Sequence, residues 1–178
     1  METVIGSTAA VVPLEEVKAF LRISGSEEDA LLAGLVRSAG QLCEAFTKVA
    51  LIEREVEERL AARESWMRLG QTPVQAILSV AASPMPGEED PLPSGDYAID
   101  IDAAGDGWVR VLRRGCGRIV VRYKAGQAPD WNGVPEPLRH GVVRMAAHFY
   151  THRDTQDASG PPAAVTALWL PYRRLRLG

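Results

Sequence analysis

Residues 135–153 read PEPLRHGVVRMAAHFYTHR. Pro135 and Pro137 belong at the start of a helix, because proline lacks the amide that an interior helical position donates. Beyond them Leu138, Val142, Met145, Ala146, Phe149 and Tyr150 recur at three- and four-residue spacing. That spacing predicts an amphipathic helix of about five turns. Arg139, Arg144, His148, His152 and Arg153 take its polar positions. None of them looks like a catalytic base with a nucleophile at hand, so nothing in the helix points to catalysis.

The same period appears twice near the N-terminus. Pro13 opens a short helix in which Leu14, Val17, Phe20 and Leu21 share one side and Glu15 and Glu16 favour the positive end of the helix dipole. Ser26 is placed to cap a second helix, with Asp29 three residues on as in a capping box. Leu31, Leu32, Leu35, Val36, Ala39, Leu42, Cys43 and Phe46 follow at helical spacing. Gly34 and Gly40 interrupt that run, and close packing against a neighbouring helix accounts for both.

Between the helical parts the period changes to two. LIEREVEERL from Leu51 alternates as a half-exposed strand does, although its Glu and Arg content also suits a helix. Short strands are expected at Ser65–Gly70 and Val74–Ser83. The proline-rich, acidic run Pro84–Asp96 is a loop. Tyr97–Asp102 and Trp108–Arg113 form a hairpin around Ala103–Gly107, and Arg118–Gly126 is the last strand. Met1–Val12 reads as an extended or loose arm, and Arg153–Pro162 as a polar linker.

The fold class is therefore α+β. A small antiparallel helical core (about 14–23, 26–49 and 136–153) carries an inserted β-rich segment (about 51–126) and an extended or helical C-terminal tail. One domain spans 1–178, with 13–50 and 135–154 as helical core, 51–126 as insertion, and 155–178 as linker and docking tail.

Composition narrows the function. The apolar fraction of 46% suits a chain that buries a core, and a net charge of −3 gives the whole molecule no bias toward nucleic acid. Cys43 falls on a helix as a small buried residue, and Cys43 and Cys116 have no metal-type spacing. A reducing compartment, no signal peptide and no membrane span are the expectations, with synthesis in the cytoplasm.

Candidate chemistry is weak throughout. Asp100, Asp102, Gly105 and Asp106 resemble the start of a calcium loop, but Ala104 and Val111 occupy positions that need ligands, and the flanks read as strands. A solvated hairpin turn fits better. His148 and His152 have a metal-compatible spacing, but Phe149 stands where a zinc protease has Glu, and Cys116 is only a remote third ligand. No nucleophile elbow is present, and Gly115-Cys116-Gly117 lacks the Lys-Ser/Thr ending of a phosphate loop. No catalytic residue, metal or cofactor is expected.

Two surfaces remain. No Lys or Arg lies between Gly70 and Val109, while Glu88, Glu89, Asp90, Asp96, Asp100, Asp102 and Asp106 all do. They read as a solvated surface or as a negative face that repels passing nucleic acid. At the C-terminus, Leu168, Trp169, Leu170, Tyr172, Arg173, Arg174, Leu175, Arg176 and Leu177 are residue types enriched at protein interfaces. The segment either folds back on its own domain or docks on another chain. Docking is the preferred reading, and interleaved leucines favour a protein groove over nucleic acid.

The chain also resembles the head–tail connector (adaptor) proteins of tailed bacteriophages and phage-like gene transfer agents. VPLEEVKAFLRI and EEDALLAGLVRSAGQLCEAFTKVAL carry the resemblance first, then PVQAILSV, YAIDIDAAGDGWVRV and IVVRYKAG, then VPEPLRHGVVRMAAHFYTHRD, so that it spans about 13–154. The resemblance implies a non-enzymatic virion or particle protein at the head–tail junction. It implies a homo-oligomeric, dodecameric ring beneath the portal that extends the DNA channel without sequence-specific binding. The portal and a tail-proximal stopper or tail terminator are the implied partners, with Trp169, Tyr172 and the arginines docking on the portal. The acidic residues would face the channel or the tail side. A small regulatory nucleic-acid-binding module using the Arg-rich end, or a small hydrolase, are the competing readings.

Overall fold

The periodic stretches become helices and the alternating ones become strands, in an α+β fold. The computed structural model describes residues 2–5, 12–85, 88–152 and 160–174. Two compact units emerge, one from Met1–Ser7 with Glu53–Gln127 and one from Thr8–Ile52 with Ala128–Gly178.

The helical unit contains α1 (Leu14–Leu21), α2 (Asp29–Thr47), α3 (Glu136–Thr151) and α4 (Ala163–Trp169). Pro135 is the N-cap of α3 and Pro137 lies in its first turn, where no amide is missed. Leu138, Val142, Met145 and Ala146 are buried, as their spacing requires, and Gly141, Val143 and Ala147 join them. Facing them are Leu32, Val36, Ala39 and Cys43 of α2 and Val17 of α1. Burial pushes the Cys43 thiol up, so it stays protonated and serves as a small apolar filler.

Three local readings need correction. Ser26 does not cap α2: its carbonyl accepts from the Asp29 amide in a preceding turn, and the helix begins only at Asp29. The Asp29 carboxylate does not return to Ser26 but accepts from Lys18 Nζ at 2.9 Å, a pair that lets the Lys18 ammonium sit almost buried on α1. Phe20 leaves the α1 stripe and is 49% exposed, because burial centres on Val17 with Leu14 and Leu21 beside it. Gly34 mediates no close packing, since a Cβ there would meet only the Arg37 guanidinium, at 3.9 Å. Gly40 is buried. Both N-terminal helices end early at left-handed non-glycine residues, Arg22 (φ 60°) and Lys48 (φ 61°).

The β unit contains β1 (Glu2–Ile5), β2 (Arg54–Ala61), β3 (Met67–Arg68), β4 (Val74–Ala82), β5 (Asp90–Pro91), β6 (Tyr97–Ile101), β7 (Gly107–Val111) and β8 (Arg118–Ala125). Five strands form one antiparallel sheet in the order β1-β2-β8-β4-β5, and three form another in the order β3-β7-β6. Part of the N-terminal arm is thus an edge strand, Glu2 opposite Arg59 and Ile5 opposite Val56. LIEREVEERL is a strand from Arg54, paired along its length with β8, and not a helix. Val56, Val80, Ile119, Val121 and Tyr123 from the larger sheet meet Val109 and Val111 from the smaller one in a single core. Within the helical unit the chain leaves at Ile52 and returns at Ala128, and these two residues are bridged. The insertion therefore opens and closes at one point.

One polar network lies inside the β core. Glu58 is fully buried on the face that also carries Val56. Its Oε2 accepts from Tyr123 Oη and from the Gly70 amide, both at 2.8 Å, and the Gln71 amide donates to Tyr123 Oη at 3.0 Å. Glu58 Oε1 has no partner among the described residues. Removing the phenol hydroxyl would leave the carboxylate with one amide alone. Tyr123→Phe is therefore expected to lower stability by about 1–3 kcal/mol, the cost of a stranded buried polar group. Urea unfolding checks this, and unchanged stability would show that the network contributes nothing.

Candidate functional site

The C-terminal segment is built around a glycine. On α3, Gly141 stands one turn after Leu138, at a position where the helix needs no side chain and α4 lies close. The Trp169 indole fills that space: a Cβ on Gly141 would fall 2.7 Å from Cδ1 and 2.9 Å from Cε2. Trp169 Nε1 donates to the Leu138 carbonyl at 3.4 Å, and its ring lies tilted against Phe46 of α2, centroids 5.9 Å apart. Trp169 is 0% exposed, and Val165 beside it is also buried. Pro162 opens α4, and its carbonyl accepts from the Val165 and Thr166 amides.

After Trp169 a single 3-10 turn, Leu170–Tyr172, changes direction. Leu168 and Tyr172 are partly buried against the helical core, and Leu170 is 55% exposed. The Arg173 guanidinium lies 5.3 Å over the Phe46 ring, and the Arg174 amide donates to the Thr47 carbonyl at 2.9 Å. Leu175, Arg176 and Leu177 lie outside the described residues. Through Arg174 this segment folds back on its own unit, so Trp169 is an internal anchor and not part of the exposed surface. Beyond Trp169, Leu170, Pro171 and Arg173 are exposed, and Tyr172 and Arg174 are partly so. Gly141, which shapes this arrangement, escaped sequence reading, and Phe46 was legible only as part of the apolar stripe of α2. The available signal was a glycine in the apolar stripe of an otherwise unbroken helix.

The seven acidic residues are not equally available at the surface. Asp102 folds the hairpin: its Oδ1 accepts from the Ala104 and Asp106 amides, each at 2.9 Å, and its Oδ2 accepts from Trp108 Nε1 at 3.0 Å. Those donors hold its carboxyl below the ordinary value, the indole contributing most. Asp106 is buried, accepts from Thr72 at 3.0 Å and pairs with Arg68 at 2.6 Å. Glu89 pairs with Arg122, which also holds Glu57. Asp90 lies 3.6 Å from Arg113, and the Asp96 carbonyl accepts from the Leu112 and Arg113 amides. Glu88 and Asp100 are exposed.

His148 and His152 stack with centroids 4.2 Å apart at the end of α3. Burial, and then the neighbouring imidazole, push His148 below its ordinary value, so the pair is not doubly charged at neutral pH. Among the described residues no group of three or more His, Cys, Asp and Glu is placed to hold a metal ion. No described helix is long and apolar enough to cross a membrane.

Against known proteins, residues 12–84 match the family model of phage gp6-like head-tail connector proteins. No curated protein sequence matches the chain. Among solved structures the whole fold matches a chain from the neck of an empty gene transfer agent particle computed with C6 symmetry. The TM-score is 0.80 at 25% identity, over 99% of this chain and 97% of that one. A chain from the virion of a native gene transfer agent particle matches with TM-score 0.79 at 25% identity, over the same shares. A chain from the neck of a native particle computed with C12 symmetry shares the fold at TM-score 0.80 and 24% identity, again over 99% and 97%. The resemblance read from the sequence is thus shown, and family match and neck fold together support a structural connector role.

Two outcomes follow from the geometry. Gly141→Ala drives a methyl into the indole and is expected to cost about 1–3 kcal/mol by overpacking, read as a lower urea midpoint with unchanged m-value. Retained stability would mean that Trp169 is not seated on that glycine. The second concerns Asp102, whose depressed folded value contributes stability above the ordinary carboxylate range and loses it as pH falls through the folded value. Asp102→Asn is therefore expected to be less stable than wild type at neutral pH. Thermal melts across pH should show that gap closing below about pH 4.

Proposed function

We propose that the chain is the subunit of a homo-oligomeric ring at a head–tail junction, that it acts without catalysis, and that it joins a capsid portal to a tail-proximal stopper or tail terminator. The observation that carries this is the match of the full fold, 99% of the chain at TM-score 0.80, to a chain in the neck of a gene transfer agent particle. The neck structures were computed with C6 and C12 symmetry, and a dodecameric ring is compatible with both. Such a ring extends the DNA channel, and DNA passes through it without sequence-specific binding. Glu88, Asp96 and Asp100, the three of the seven acidic side chains with no hydrogen bond or ion pair among the described residues, are the ones available to face the channel or the tail side.

Portal docking is assigned to the end of the chain. Trp169 and Leu168 hold the segment in place from inside, while Leu170, Tyr172, Arg173 and Arg174, with Leu175 and Arg176 beyond, supply the contact. Tyr172 and the arginines are residue types enriched at interfaces, and exposed Leu170 adds apolar surface beside them.

The test leaves the anchor untouched. Deleting Ala167–Gly178 would remove Trp169 with the tail and confuse docking with folding. Leu170→Ala combined with Arg173→Glu keeps Trp169. This variant is expected to melt as wild type does and to attach to a portal ring at least about tenfold more weakly. Negative-stain imaging with portal rings scores attachment. Undiminished attachment removes the docking assignment, and a wild-type chain that never joins a ring defeats the connector reading.

A further inference from the structure

The turn joining β7 to β8 carries a concentration of positive charge that the connector role leaves unused. Residues 112–118 read LRRGCGR. Arg113, Arg114 and Arg118 are exposed there, and Arg63 is exposed beside them. They line two concavities of about 190 and 180 Å³ that share Arg113, Arg114, Gly115 and Cys116. Arg63 and Glu64 complete one, and Asp90 and Arg118 help complete the other. Four guanidinium groups therefore face two carboxylates.

Neither carboxylate neutralises its neighbour firmly. Arg113 is 3.6 Å from Asp90 and Arg114 is 3.8 Å from Glu64, with side chains between 47% and 93% exposed. Pairs of that length and exposure are worth little and exchange readily. Arg63 and Arg118 have no ion pair among the described residues. Arg122 shows the contrast, held by Glu57 and Glu89 at 2.9 and 2.7 Å.

The backbone adds to this. Gly115 is left-handed, φ 83°, and neither it nor Gly117 has a heavy atom within 4 Å of where a Cβ would stand. The amides of Arg114, Gly115 and Gly117 have no acceptor among the described residues. An open turn with unspent amides, flanked by guanidinium forks, fits a phosphate group. Among the described residues no aromatic lines either concavity to stack a base.

We propose that this turn, with Arg63, contacts the phosphodiester backbone of duplex DNA without reading its sequence. The shared chemistry is phosphate. Choosing DNA over a free anion rests on the connector reading, in which DNA runs past this chain. The missing Lys-Ser/Thr ending excludes a nucleotide-triphosphate loop but is no obstacle to a backbone contact.

The experiment uses the full chain and a labelled mixed-sequence duplex, followed by fluorescence anisotropy at about 50 and 200 mM salt. Binding is expected to weaken steeply with salt. The variant R113Q/R114Q/R118Q is expected to bind at least about tenfold more weakly at the lower salt, with a salt slope smaller by about one per lost phosphate contact. Arg173→Gln with Arg174→Gln is expected to keep wild-type affinity. If the triple variant melts early, Arg114→Gln alone, at a side chain 93% exposed, should still lower the slope by about one. Equal affinity and slope for these variants, no wild-type binding at the lower salt, or loss on changing Arg173 and Arg174 instead, overturns the proposal. Displacement of DNA by inorganic phosphate at matched ionic strength overturns the DNA assignment in favour of a free anion. Portal attachment of the triple variant is scored separately: attachment without DNA binding leaves the connector reading standing, and DNA binding without attachment separates the two in the other direction.

Discussion

The Trp169 indole occupies the volume that a side chain on Gly141 would need, and the end of the molecule depends on that one contact. A helix of seven residues is far below the length at which helices persist alone in water. The α4 helix therefore exists because Trp169 and Val165 are buried on α3 and α2. Truncating a buried aromatic of this size costs about 3–5 kcal/mol, more than any capping or dipole effect in so short a helix. The contact also determines what is presented outward. With Trp169 inside, Leu170 is turned out, Tyr172 rests on the core, and Arg173 is held over Phe46. An interface residue on a preordered segment loses less entropy on docking than one on a loose tail.

Sequence patterning was most informative where one physical effect dominated. The spacing in α2 and α3 reports burial on one side, and both helices lie within a few residues of the predicted limits. Alternation likewise locates β6, β7 and β8. It was least informative where competing partners decide. Ser26 and Asp29 have the composition of a capping box, but Lys18, eleven residues away, claims the carboxylate. Asp102 and Asp106 look like surface charge until Trp108, Thr72 and Arg68 are brought to them. Glu58 sits on an alternating strand as if charged and solvated, yet Tyr123, 65 residues on, receives it inside the core. The tail was the hardest case, because Trp, Leu, Tyr and Arg serve a core and an interface equally well. Only the pairing of Trp169 with a glycine 28 positions earlier separates the two, and spacing within the tail carries no record of that pairing.

The insertion follows a related economy. Ile52 and Ala128 are bridged, and the Ala128 amide donates to the Leu51 carbonyl at 3.3 Å. The helical unit therefore closes across the base of a 75-residue excursion, Glu53–Gln127, that builds its own core. Loop-closure entropy grows only slowly with length, so a long insertion with an independent core is tolerated where its ends meet. Glu2–Ile5 adds a strand to the same unit.

A structural role is visible in how the polar groups are used. The described acids with firm partners serve the fold, as Asp29, Glu57, Glu58, Asp102 and Asp106 do. What remains unspent is surface. Phe20, Leu31 and Leu170 are exposed on the helical unit, and Trp66, Ile99, Ile101 and Leu112 on the β unit. Single exposed apolar residues mean little, but these occur on both units. A closed ring needs two different patches on each subunit, because a rotation other than twofold brings unlike surfaces together. A chain with two cores, each leaving large apolar side chains in solvent, has the minimum equipment for such a contact.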